Sequence, residues 1–134
     1  YLTKDMILRL RFLVSETFPS HEFMRMARFA VRLCRATRPQ FNGEMMLRSL
    51  KGTDNRLDAV VHSGVSTRAE KVLARAARAH AFLLDVRECS ARDVQTLAPA
   101  VLRHRITLMP RASHIGFTPE RVISELLRQI PEFS

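Results

Sequence analysis

With 134 residues, 46% of them hydrophobic, the chain is long enough for one domain with a real core. Four glycines and one tyrosine argue against a sheet-rich fold, and the two isolated cysteines, Cys34 and Cys89, lack the CxxC spacing of a disulfide framework or a zinc site. The formal charge of +9 attracts acidic groups without choosing among nucleic acid, acidic lipid, nucleotide phosphate and an acidic protein.

No apolar run reaches the length of a membrane span, and YLTKDMILRL lacks the basic head, apolar middle and small-residue cleavage site of a signal peptide. The expected location is therefore cytoplasmic, without a membrane, and with both thiols reduced. The first residue is Tyr1 rather than a methionine, as expected of a fragment cut from a longer polypeptide.

Thr3 is placed to cap a first helix running to about Thr17, with Asp5 at the positive end of its dipole and Pro19 interrupting. Its apolar residues circle widely: Met6, Leu10, Leu13 and Val14 share one side, while Ile7, Leu8 and Phe12 spill around it. Such a helix expects cover on more than one side. Ser20 begins a second helix, His21 to about Thr37, whose core face is Phe23, Met26, Ala27, Ala30, Leu33 and Cys34. Arg25, Arg28, Arg32 and Arg35 recur at the same steps on the opposite face as a basic stripe, either solvated or available to phosphate or an acidic partner.

From Pro39 to Ser63 the mixture of Pro39, Asn42, Gly43, Gly52, Asp54 and Asn55 with an apolar MML around Met45 predicts a long irregular connection with room for one short helix or ribbon. Ser66 or Thr67 then caps a third helix reaching about Asp85. Its expected inward residues are Val72, Leu73, Ala76, Ala79 and Leu83, with Lys71, Arg75 and Arg78 outward. Ser90 and Asp93 approach a capping box for a fourth helix with Val94, Leu97 and Val101 buried, which Pro99 should bend or shorten. Residues 106–109 read as a short extended segment before Pro110. Thr118, Pro119 and Glu120 open a last helix with Val122, Ile123, Leu126, Leu127 and Ile130 inside. The expectation is a mainly α fold: one domain over residues 1–134, a small bundle of about five helices.

Motifs of autonomous chemistry are missing. There is no GxxxxGK[ST] loop to cradle phosphate, no HExxH or paired histidines for a metal, and no GxSxG elbow. No catalytic residue and no metal ligand is assigned. His80, on the apolar side of its helix, reads as a satisfied core histidine rather than a general base. What remains is the turn Gly64 to Ala69, GVSTRA, which puts Arg68 in a first helical turn beside unbonded backbone N–H groups. Such a turn suits an anion, through the amides, the dipole and the guanidinium fork together; a plain ion pair is the alternative.

Three segments stand in order: ATRP at Ala36 to Pro39, GVSTRA at Gly64 to Ala69, and LAPAVLRHRITL from Leu97 to Leu108, followed by GFTPERV from Gly116. In these the chain resembles the C-terminal lid domain of MoxR-type AAA+ ATPases, whose lid typically carries ATR, a GASPRA-like turn and a downstream APDVLRHR segment. Val65 and Thr67 stand where the family more commonly has Ala and Pro. The resemblance implies that Arg68 is the sensor-2 arginine, contacting the γ-phosphate region of ATP with Ser66 and Thr67 beside it, in cis or from a neighbouring subunit. It further implies a parent ATPase whose core, absent here, holds ATP and Mg²⁺, so that this fragment alone binds neither. A ring, often hexameric, is implied, doing chaperone-like assembly or maturation beside von Willebrand factor A-type partners. The runner-up reading is a basic helical module for nucleic acid or protein, which would explain the charge and the stripe.

Overall fold

In the computed structural model, which describes residues 2–18, 20–47, 55–84 and 88–131, helices dominate as expected, with one small two-stranded ribbon. Four helices build the core: α2 (Ser20–Ala36), α5 (Thr67–Leu83), α6 (Ala91–Leu102) and α8 (Pro119–Gln129). α5 packs on both α2 and α6, and α8 closes the far side of α6. Met26, Phe29, Leu33, Leu73, Val94, Leu102, Ile123 and Leu126 meet in the middle at 2% exposure or less. Each large side chain withdrawn from water in this way contributes about 1.5–3 kcal/mol.

The helix starts follow local chemistry. In α1 (Lys4–Thr17) the Thr3 side chain accepts the Met6 amide at 3.2 Å, with Asp5 in the first turn. α6 has a complete capping box: Arg92 N–H donates to Ser90 Oγ at 3.3 Å and Ser90 N–H to Asp93 Oδ2 at 2.9 Å, so Asp93 does the work usually given to Glu or Gln. α8 starts on Thr118, whose hydroxyl accepts the Arg121 amide at 3.2 Å, and on Pro119. α6 runs on through Pro99, which stands in its last turn, to Leu102, so the proline does not itself end the helix.

The described parts of the connection after α2, residues 39–47 and 55–63, are more ordered than their composition predicts. They hold two one-turn helices, α3 (Pro39–Asn42) and α4 (Leu57–Val60), an isolated bridge between Met46 and Arg56, and strand β1 (Val61–Ser63). β1 pairs antiparallel with β2 (Thr107–Leu108) in the expected extended segment, followed by the one-turn α7 (Pro110–His114). One-turn helices offer too few residues for a periodic apolar pattern, which is why eight helices stand among the described residues where about five are expected. Pro19, Gly52, Asp54 and Asp85, which serve as breaks or ends in the sequence, lie outside the described residues.

The inward face of α5 is turned from the predicted one. Its buried residues are Ala69, Leu73, Ala74, Ala77 and Ala81, whereas Val72 is 36% and Leu83 78% exposed and Ala76 and Ala79 are half-buried. Alanine faces let α2 and α6 approach closely on either side, so packing space rather than side-chain hydrophobicity decides which way α5 faces. Arg78, expected outward, is half-buried with its guanidinium 4.2 Å from the Phe23 ring centroid. In α2, Phe29 belongs to the core and Phe23 and Ala27 only border it; in α6, Ala98 and Leu102 take the fully buried places while Leu97 and Val101 border the core. α1 leans on α5 yet buries none of its residues fully: Phe12 is 65% and Leu13 50% exposed. Its wide apolar girdle is open over most of its circumference. Among the described residues no helix is long and apolar enough to cross a membrane.

Candidate functional site

Two of the sequence motifs, far apart along the chain, meet at the head of α5. α2 ends at Ala36, and the next two residues reach across to the turn before α5. Thr37 is fully buried; its hydroxyl donates to the Cys34 carbonyl at 2.6 Å and accepts the Val65 amide at 3.0 Å. Arg38 donates from Nε to the Val65 carbonyl at 2.7 Å and from Nη2 to Glu70 Oε1 at 2.6 Å. Both backbone groups of Val65 are thus held by adjacent residues of ATRP. Gly64 makes this approach sterically feasible, because a Cβ there would stand 2.6 Å from the Thr37 carbonyl carbon and oxygen.

The first turn of α5 presents the opposite picture. Ser66 occupies the N-cap position with extended φ −82° and ψ 170°, but no side chain caps this helix. The amides of Thr67 and Arg68 have no acceptor among the described residues. Ser66, Thr67 and Arg68 are all exposed. Arg68 makes no ion pair or side-chain hydrogen bond among the described residues; the ion pair of this turn belongs to Glu70 and Arg38, with side chains 15% and 11% exposed. A cation in a first helical turn faces the positive end of the dipole, an unfavourable placement of about 0.3–1 kcal/mol. An anion docked here would reverse that sign, meeting two unbonded amides and a guanidinium at once. Beside the turn lies an open cleft of about 410 Å³ bordered by Gln40, Phe41, His62, Ser63, Ser66 and Thr67; Arg68 stands outside its wall.

Three arginines of the basic stripe, Arg25, Arg28 and Arg35, are exposed, Arg35 with its guanidinium 4.6 Å from the ring centroid of the exposed Phe41. Arg32 is half-buried, donates to the Pro131 carbonyl and lies 5.9 Å from the Phe29 ring centroid, so it serves packing across the bundle. His80 Nδ1 lies 3.1 Å from Asp93 Oδ1, so the histidine on the apolar side is satisfied by the carboxylate that also caps α6. Cys34 and Cys89 are free and buried. Burial, reinforced by Glu70, pushes the Cys34 thiol up to about 12; burial and Glu22 push Cys89 up to about 11. Neither is a ready nucleophile. Among the described residues no cluster of His, Cys, Asp and Glu is placed to hold a metal ion.

Sequence reasoning found Ser66, Thr67 and Arg68 but missed the role of Thr37, Arg38 and Glu70, because a clamp between residues 27 to 32 positions apart leaves no local periodic signal. The available sign was the presence of two turn motifs in one short chain.

Residues 54–126, more than half of the chain, match the family model of the AAA lid domain. The uncharacterized protein YeaC of Bacillus subtilis (strain 168) is 36% identical over 70 residues, which are 52% of this chain and 22% of YeaC. A crystal structure of a candidate ATPase from Cytophaga hutchinsonii has the same fold, with a TM-score of 0.78 at 24% identity over 99% of this chain and 37% of the other. The chain thus spans well under half the length of either.

Proposed function

The chain belongs to the AAA lid domain family, and from that premise we propose that it is the lid of a MoxR-type AAA+ ATPase in which Arg68 is the sensor-2 arginine. The observation that carries this is the head of α5: an exposed arginine without a partner among the described residues, beside unbonded amides, in a first helical turn where its charge opposes the dipole. A phosphate group supplies what that turn lacks. ATP and its Mg²⁺ belong on a nucleotide-binding core of the same polypeptide, whose phosphate loop, carboxylate and arginine finger are absent from this sequence. The lid's contribution is electrostatic and mechanical. Arg68, with Ser66 and Thr67 around it, meets the terminal phosphate when it is present, and its loss on hydrolysis releases the lid relative to the core.

In the same proposal the open apolar girdle of α1 is surface for the rest of the polypeptide. The wider reading is a ring, hexameric in the resembling ATPases, using this movement for chaperone-like assembly or maturation of partner proteins beside von Willebrand factor A-type proteins. The direct test of the parentage is the reading frame upstream of Tyr1: a GxxxxGK[ST] loop after a strand is expected, and its absence would sink the assignment. A nucleic-acid module is the competing account, and the engagement of Arg32 by the Pro131 carbonyl and the Phe29 ring counts against it. Tight duplex or single-strand binding with a steep salt slope would revive it.

A further inference from the structure

Arg68 is anchored neither by its own side chain nor by a cap on its helix, so its position depends on what holds the turn beneath it. Three contacts do so, and all come from two consecutive residues at the end of α2. Arg38 grips the turn on both sides of Arg68, at the Val65 carbonyl before the helix and at Glu70 within its first turn. Thr37 holds the Val65 amide and is itself tied back to Cys34. With anchors at positions 65 and 70, the head of α5 can neither slide along nor pivot about a single point. The clamp is shielded as well: Thr37 is fully buried and the Arg38 and Glu70 side chains are 11% and 15% exposed. Charge-assisted bonds in such surroundings hold geometry better than exposed ones.

Resting on the sensor reading of Arg68, we infer that Arg38 is the positioning residue of the phosphate-sensing turn. It acts on ATP through Arg68 and touches no nucleotide itself. The guanidinium is needed for its shape, since one planar fork serves two acceptors lying in different directions, whereas a lysine ammonium can follow only one of them well. Displacing a phosphate-contacting group by about 1 Å is enough to cost on the order of 100-fold in rate, so a loosened clamp should be felt in turnover before it is felt in folding. The same geometry makes the end of α2 a lever: whatever shifts Arg38 shifts the sensor.

The test is a double-mutant cycle in the full-length polypeptide at saturating Mg-ATP, with Arg38→Lys, Arg68→Ala and the pair, each confirmed folded by thermal melting. Expected is a fall in kcat of about tenfold or more for Arg38→Lys, with KM altered less than about threefold, and no further fall when Arg38→Lys is added to Arg68→Ala. Glu70→Gln, which keeps an acceptor for the fork, should retain more activity than Glu70→Ala. Amide exchange gives a readout independent of hydrolysis: the hydrogen-bonded amides of the turn, Val65 and Ala69, should lose protection in Arg38→Lys while those of α6 and α8 keep theirs. Normal turnover in Arg38→Lys while Arg68→Ala is slow, multiplicative losses in the pair, or unchanged exchange at Val65 and Ala69 would each overturn the inference and leave the sensor reading standing. Normal turnover in Arg68→Ala would overturn the sensor reading and this inference with it.

Discussion

Gly64→Ala tests the clamp where the geometry leaves least room. The added methyl would sit 2.6 Å from the Thr37 carbonyl carbon and oxygen and 2.7 Å from its hydroxyl, all belonging to a fully buried residue. Relief requires a shift of nearly 1 Å in backbone that Cys34, Val65 and Arg38 fix from three sides. Overpacking of one methyl costs about 1–3 kcal/mol. Weakening the two hydrogen bonds at Val65 adds about 1–2 kcal/mol, and reduced freedom of the unfolded chain returns about 0.4–1 kcal/mol. The net loss is about 1–5 kcal/mol, which for a chain of this size lowers Tm by roughly 3–25 °C. The effect is one of space and not of backbone conformation, since the positive-φ glycine among the described residues is Gly116, at 102°. Thermal unfolding followed by helical circular dichroism is the assay. A Tm within about 2 °C of the parent would show that Thr37 yields freely and that the two motifs are not locked together.

Stability should also fall in alkali. A thiol raised in the folded state favours folding while both states are protonated, and that contribution is whole below its ordinary value of 9.0 and lost as pH climbs toward about 11 for Cys89 and about 12 for Cys34. By pH 10 the loss is about 1 kcal/mol per thiol; urea unfolding of the Cys34→Ala/Cys89→Ala chain should show a smaller drop between pH 7.5 and 10, and an equal drop would contradict the buried-thiol account. Asp93→Ala removes one half of the α6 capping box, leaving the Ser90 side chain in place, and the partner of His80 together, so a loss of about 1–3 kcal/mol is expected in the same assay; a loss under about 0.5 kcal/mol would mean the network is idle. Phe12→Glu, on the open side of α1 at 65% exposure, should move Tm by less than about 2 °C in this chain; a large fall would place Phe12 in a core contact.

What the sequence disclosed was what depends on neighbours three or four residues away. Thr3, Ser90 with Asp93, and Thr118 with Pro119 each start the helix they were read to start, because a cap is a local bond. The apolar stripes of α2 and α8 were legible for the same reason. α5 was misread because its large residues and its alanines point in different directions, and only the proximity of α2 and α6 decides between them. The candidate site was half legible. Arg68 was visible as a charge in a helix start, whereas Arg38 and Glu70 are ordinary residues until the fold brings them to 2.6 Å.

The most direct measurement is ATP hydrolysis by the full-length polypeptide carrying Arg68→Ala, compared with its parent at saturating Mg-ATP. Loss of a guanidinium that stabilises transferring phosphate predicts a fall in kcat of at least tenfold with Tm of this domain changed by less than about 2 °C, since Arg68 holds nothing in the fold. Unchanged turnover in a folded variant would contradict the account at its centre.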